Sequence, residues 1–134
     1  MKSESVKELE SKRERNKGYH KLILWQKARE FLKLVYKYSE KFPKSEEYVL
    51  KSQLRRAAIS VVLNIVEGYR RLTIKEFIRF LNISGASLTE VEACIEIATD
   101  LGYFTKADYR LLEERRVEIE IILFFFEKSL RKKL

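Results

Sequence analysis

Arg29, Lys33, Lys37 and Lys41 recur at every fourth position, a spacing that lines one face of an α-helix with positive charge. Like charges so placed repel one another by a few tenths of a kcal/mol per pair, and the row therefore calls for an anionic counterpart. The chemistry open to it is electrostatic: Lys and Arg contacts to phosphate oxygens, which hold a nucleic acid without reading its bases. Arg55, Arg56, Arg70 and Arg71 flank the helical stretch from Gln53 to Gly68 and complete a candidate nucleic-acid-binding set of Arg29, Lys33, Lys37, Arg55, Arg56, Arg70 and Arg71. Arg131, Lys132 and Lys133 form a further cluster, although cations there also suit the negative end of a helix dipole. Glu92, Glu96 and Asp100 make a row of opposite sign at the same spacing. The two rows can pair between helices or subunits, so the sequence leaves a polyanion and a self-contact both open.

Material for catalysis is scarce. His20 is the single histidine and sits at the edge of a polar N-terminal stretch, where it reads as a surface residue. Cys94 falls on an apolar strip and reads as a buried, inert thiol. No glycine-rich phosphate loop, metal-spaced histidine pair or nucleophile elbow is present in the sequence. The chain is therefore expected not to be an enzyme and to need no cofactor or metal.

The charge balance is +8 over 134 residues, with 46% hydrophobic and 36% charged residues. Most of the positive excess falls on residues 19–42 and 51–72, which favours a polyanionic partner over an evenly solvated surface. The longest apolar run, Ile121 to Phe126, is far short of the ~20 residues that span a bilayer. With one cysteine and no apolar N-terminal core, the sequence predicts a cytoplasmic protein without membrane contact.

One proline and four glycines predict long helices with few interruptions. Residues 1–18 read as a charged tail and 19–134 as one four-helix domain. The spacing predicts helix 1 over Leu22–Lys41, stopped by Phe42-Pro43, and helix 2 from about Ser45, with a seam of Leu50, Leu54, Ala57, Val61, Ile65 and Gly68. Thr73 to Glu76 fits a capping box opening helix 3, whose seam runs from Phe77 through Leu81, Ser84, Leu88, Val91 and Ile95 to Ala98. Gly102 ends it, and Thr105 to Asp108 caps helix 4. Short connections predict an all-α, antiparallel up-down-up-down four-helix bundle.

In helix 4, Leu112, Ile119, Ile122, Phe126 and Leu130 fill the predicted seam. That leaves Val117, Ile121, Phe124 and Phe125 as a second apolar strip, matched on helix 3 by Ile74, Ile78, Cys94, Ile97 and Leu101. Helices apolar on two sides need two covers, so the helix 4 strip is assigned to an oligomer interface, with a partner protein as the alternative cover. Asn64 and Glu67 lie close to the helix 2 seam. A carboxylate there must be paired, and the two are read as a structural polar clasp, with ligand binding as the alternative.

These residues carry a family resemblance. Leu24-Trp-Gln-Lys-Ala28, Val35-Tyr36, Phe42-Pro43, Gln53-Leu-Arg-Arg-Ala57 with Ser60, Asn64-Ile-x-Glu-Gly68, Lys75-Glu-Phe77 and Leu101-Gly-Tyr103 resemble the four-helix bundle proteins encoded within intervening sequences of bacterial 23S rRNA genes. The same family includes the accessory variability proteins of diversity-generating retroelements. The likeness spans residues 22–103. Gly85-Ala-Ser-Leu88 departs from the family's Ala-x-Gly-Ser-Leu at its start, and the charged tail lies outside the pattern. The resemblance implies a homopentameric barrel and, in the retroelement branch, binding to nucleic acid and to a reverse transcriptase. The expected function is thus a non-enzymatic, oligomeric nucleic-acid-binding protein that contacts RNA or DNA with weak sequence specificity. The alternative is a scaffold that docks an acidic partner protein, such as a reverse transcriptase, without touching nucleic acid.

Overall fold

The computed structural model describes residues 5–8 and 18–134. Most of the predicted tail, residues 1–4 and 9–17, lies outside them. The described residues contain four long helices and no strand: α1 (Ile23–Ser39), α2 (Leu50–Tyr69), α3 (Ile74–Asp100) and α4 (Lys106–Arg131). α1 packs against α2 and α4, and α3 likewise touches both α2 and α4. The α2–α3 pairing is the most extensive. The shared core includes Leu24, Phe31 and Val35 of α1, Leu54, Val61 and Ile65 of α2, Leu81, Leu88 and Ile95 of α3, and Leu112 and Ile119 of α4.

Local chemistry explains most helix ends. Thr73 accepts a hydrogen bond from the Glu76 N–H at 3.1 Å and starts α3. Thr105 and Asp108 form a complete reciprocal box at the start of α4. Gly102 has φ +79°, the left-handed conformation that ends a helix cheaply only at glycine. Gly68 meets a different demand. A Cβ there would lie 2.9 Å from both Phe77 Cδ1 and Phe80 Cβ, so α3 comes as close to α2 as a glycine permits.

Three expectations are corrected. Helix 1 stops at Ser39, two residues before Lys41, because its last turn tightens ahead of Pro43. Helix 2 starts at Leu50 instead of Ser45: residues 44–46 form a separate 3₁₀ turn, and Val49 at φ −118° and ψ −96° breaks the helical path. Glu46 then reaches forward, its carboxylate accepting from the Leu50 N–H at 3.4 Å. The third correction concerns the apolar strips. Ile78 and Cys94, assigned to the outer strip of helix 3, are buried, while Ile122 and Phe126 are only partly so and Leu123 is buried in their stead. The reason is that α3 and α4 each bury two adjacent faces, one against each neighbour.

Candidate nucleic-acid interface

α1 sets its core face with Leu24, Ala28, Phe31 and Val35, and the 3.6-residue period then directs Arg29, Lys33 and Lys37 outward together. All three are exposed. Lys33 and Lys37 make no ion pair among the described residues, and Arg29 does no more than lie 5.2 Å over the Trp25 ring. Lys41 leaves the row. Its ammonium binds both carboxylate oxygens of Asp108, at 2.6 and 2.7 Å, and so ties the end of α1 to the start of α4. Burial alone would raise the Asp108 carboxyl, but the Lys41 ammonium and the Thr105 N–H together hold it below its ordinary value.

The arginines of α2 and of the connector after it divide into different roles. Arg55 is half-buried and donates to Ser39 Oγ at 2.9 Å, to the Tyr36 carbonyl at 3.0 Å and to Glu40 at 2.7 Å. Its guanidinium lies 4.3 Å over the Tyr36 ring. It thereby caps the C-terminal turn of α1, where carbonyls are unpaired and a cation is favoured. The Arg55 hydrogen bond and the Lys51 ammonium hold the exposed Glu40 carboxyl below its ordinary value. Arg56 stays exposed, reaching Gln53 on its own helix and Glu90 of α3 at 3.1 Å. Arg70 lies 5.5 Å over the Tyr19 ring. Arg71 pairs with Glu67 at 2.8 Å and covers Phe80.

Asn64 and Glu67 are not brought together. Glu67 is exposed beside Arg71, whereas Asn64 is half-buried and donates to the Ser60 carbonyl and hydroxyl, at 2.8 and 3.1 Å. Ser60 in turn meets Ser87 of α3 at 2.7 Å, and the fully buried Ser84 donates to the Val61 carbonyl at 2.8 Å. Inside the exposed Arg56–Glu90 pair, the polar tie between α2 and α3 is thus built from small hydroxyls.

Of the acidic row, Glu92 turns to Arg116 of α4 at 2.6 Å. Glu96 and Asp100 have no partner among the described residues. Arg116 was not singled out from the sequence, yet it is 3% exposed. It also binds Glu113 and Glu120, and the Glu113 hydrogen bond is the largest influence holding its proton more firmly than usual. A signal existed, since Arg116 stands four residues after Leu112 and three before Ile119 on the buried face, with carboxylates three before and four after it.

The α4 strip remains in part uncovered. Phe124 and Phe125 are each 60% exposed and Ile121 is 51% exposed, while Val117 is half-buried. His20 is exposed and stacks on Trp25 with ring centroids 4.4 Å apart. Cys94 is buried, and burial followed by the nearby Glu90 charge pushes its thiol up. No helix among the described residues is long and apolar enough to cross a membrane.

Residues 20–124 match the family described as 23S rRNA-intervening sequence protein. The fold is also similar to the crystal structure of a protein of unknown function from the S23 ribosomal protein family of Bacteroides thetaiotaomicron. The two share a TM-score of 0.72 and 26% identity, covering 79% of this chain and 99% of the other. No curated protein matches the chain.

Proposed function

This chain belongs to the 23S rRNA-intervening sequence protein family, and from that premise we propose that it is a non-enzymatic, oligomeric nucleic-acid-binding protein of the cytoplasm. It holds phosphate through the outer surface of α1 and α2 and discriminates little between sequences. One observation carries this reading: Arg29, Lys33 and Lys37 are exposed along a single face, and none has an ion-pair partner among the described residues. Successive charges rise about 6 Å along the helix, a ladder suited to successive phosphates. Arg56 extends it onto α2, and Arg70 and Arg71 onto the connector that follows, whereas Arg55 belongs chiefly to the α1 cap.

In this reading the helices run antiparallel, up-down-up-down, as connectors this short demand. Copies associate through Val117, Ile121, Phe124 and Phe125 of α4 into the homopentamer that the family likeness implies. Repetition of one modest basic patch around such an assembly raises avidity without new contacts.

Binding to single- and double-stranded oligonucleotides, measured across a salt series, tests the proposal. Log affinity should fall linearly with log salt, by roughly 0.7–0.9 per phosphate contacted. Lys33→Glu/Lys37→Glu and Arg70→Glu/Arg71→Glu should each weaken binding at least tenfold at low salt while helicity and the light-scattering mass are kept. Binding indifferent to both pairs would remove the site. Failure of the parent protein to bind even at low salt would favour the scaffold for an acidic protein, the reverse transcriptase of the retroelement branch included.

A further inference from the structure

A cleft of about 380 Å³ opens between the C-terminal half of α1 and the first turns of α2. Three of its lining side chains are cations: Lys51, Arg55 and Arg56. Lys51 is an unusual wall residue because it is only 6% exposed, and buried ammonium groups require compensation. Its compensation comes from carboxylates at the surface. Glu47 lies 2.9 Å away with its side chain 45% exposed, and Glu40 lies 3.5 Å away with its side chain 68% exposed. Lys51 is thus held inside the protein, while its two counter-ions stand on surface side chains. An anion that took the place of either carboxylate would have to supply the same compensation.

Several donors at the cleft are left over. Arg55 engages Nε and Nη2, and Arg56 engages the same two nitrogens. The Nη1 group of each has no acceptor among the described residues, and neither does the hydroxyl of Ser52, which also lines the cleft. Lys51 keeps one of its three protons beyond the two carboxylates. Lys51 and Ser52 stand in the first turn of a 20-residue helix, where the dipole favours an anion. Tyr36 and Ile59 supply a half-apolar wall beside the cations.

We propose that this cleft is a nucleotide subsite: Lys51, Arg55, Arg56 and Ser52 hold a phosphate group in place of Glu47, and Tyr36 and Ile59 flank the attached nucleoside. The assignment rests on the nucleic-acid reading above and deepens it, since the α1 row ends at Lys37, next in sequence to the lining residue Tyr36. Its ligand chemistry, a phosphate ester, is common to a free nucleotide and to a strand.

Equilibrium dialysis of the full chain with labelled uridine monophosphate, uridine and a short oligouridylate, at constant ionic strength, tests it. Uridine monophosphate should be retained and uridine should not. Ser52→Ala/Arg56→Gln should weaken retention severalfold. Glu47→Gln should tighten it about threefold, the effect of removing one competing charge at short range in water. A purely structural ion pair gives no such gain, and this variant leaves every cation in place. Lys33→Glu/Lys37→Glu should release the oligouridylate but keep the monophosphate, which separates the cleft from the α1 row. Retention of monophosphate without any strand binding would support the subsite and refute the nucleic-acid reading. Equal retention of uridine and its monophosphate by both the parent and Glu47→Gln, or retention unchanged in Ser52→Ala/Arg56→Gln, would overturn the subsite.

Discussion

At the scale of single residues, the buried Arg116 is the hub of an ionic cluster between α3 and α4. Replacing it by Met keeps the volume but leaves the carboxylates of Glu92, Glu113 and Glu120 facing one another. Removing one partner of a buried pair costs about 3–5 kcal/mol. Here the acids are partly wet, so Arg116→Met should cost about 2–3 kcal/mol in urea unfolding, with Arg116→Lys in between. A loss below about 0.5 kcal/mol would mean that the cluster is merely tolerated. Asp108 makes a pH-dependent contribution. Its carboxyl is held below the ordinary value in the folded chain. The stability it adds is therefore fully present above an unfolded pKa of about 3.9 and is lost as the pH falls through the lower folded value. Lys41→Met should flatten that acid limb, read from unfolding midpoints between neutral and acid pH; an unchanged limb would remove Lys41 as its source. The basic row of α1 was legible from spacing alone, because an i, i+4 row is a property of one helix. That Lys41 would be captured by Asp108, 67 residues away, was not, because pairing across helices depends on how the bundle closes.

At the scale of elements, two glycines in similar sequence settings face opposite constraints. A Cβ on Gly68 would press on Phe77 and Phe80, whereas one on Gly85 would touch only Leu123 Cδ2, at an ordinary 3.5 Å. Gly68→Ala should therefore destabilise by about 1–2 kcal/mol despite its better helix propensity. Gly85→Ala should stabilise by about 0.5–1 kcal/mol, since α3 then loses its flexible point at no packing cost. Thermal unfolding of the two variants should move in opposite directions, and a shared direction would contradict this reading of the α2–α3 contact. The helix count and the Thr73, Gly102 and Thr105 boundaries were readable because caps are local chemistry. The start of α2 was not, because Ser45-Glu-Glu offers plausible cap residues while the break at Val49 is set by Glu46 bonding both the Leu50 N–H and the Tyr103 hydroxyl. The two apolar strips of α3 were visible in the sequence, but not that one bundle covers Ile78 and Cys94 itself.

At the scale of the whole molecule, the pairings differ greatly in the length of chain they enclose. α2 and α3 pack most extensively across a connector of residues 70–73. By contrast, Lys41–Asp108 and Lys27–Glu118 join the first helix to the last. Closing the longer loops costs more chain entropy before any contact rewards it, so the folding nucleus belongs to the α2–α3 hairpin. In stopped-flow refolding of the full chain, Val61→Ala in that seam should chiefly slow folding, and Val35→Ala in α1 should chiefly speed unfolding. The reverse pattern would place the nucleus at the chain ends. During synthesis the same geometry imposes a delay. α1 leaves the ribosome first, but Lys41 must wait for 67 further residues before it meets Asp108. Until then one side of α1 stays uncovered, and the nascent chain depends on the hairpin behind it to keep that side from a wrong partner.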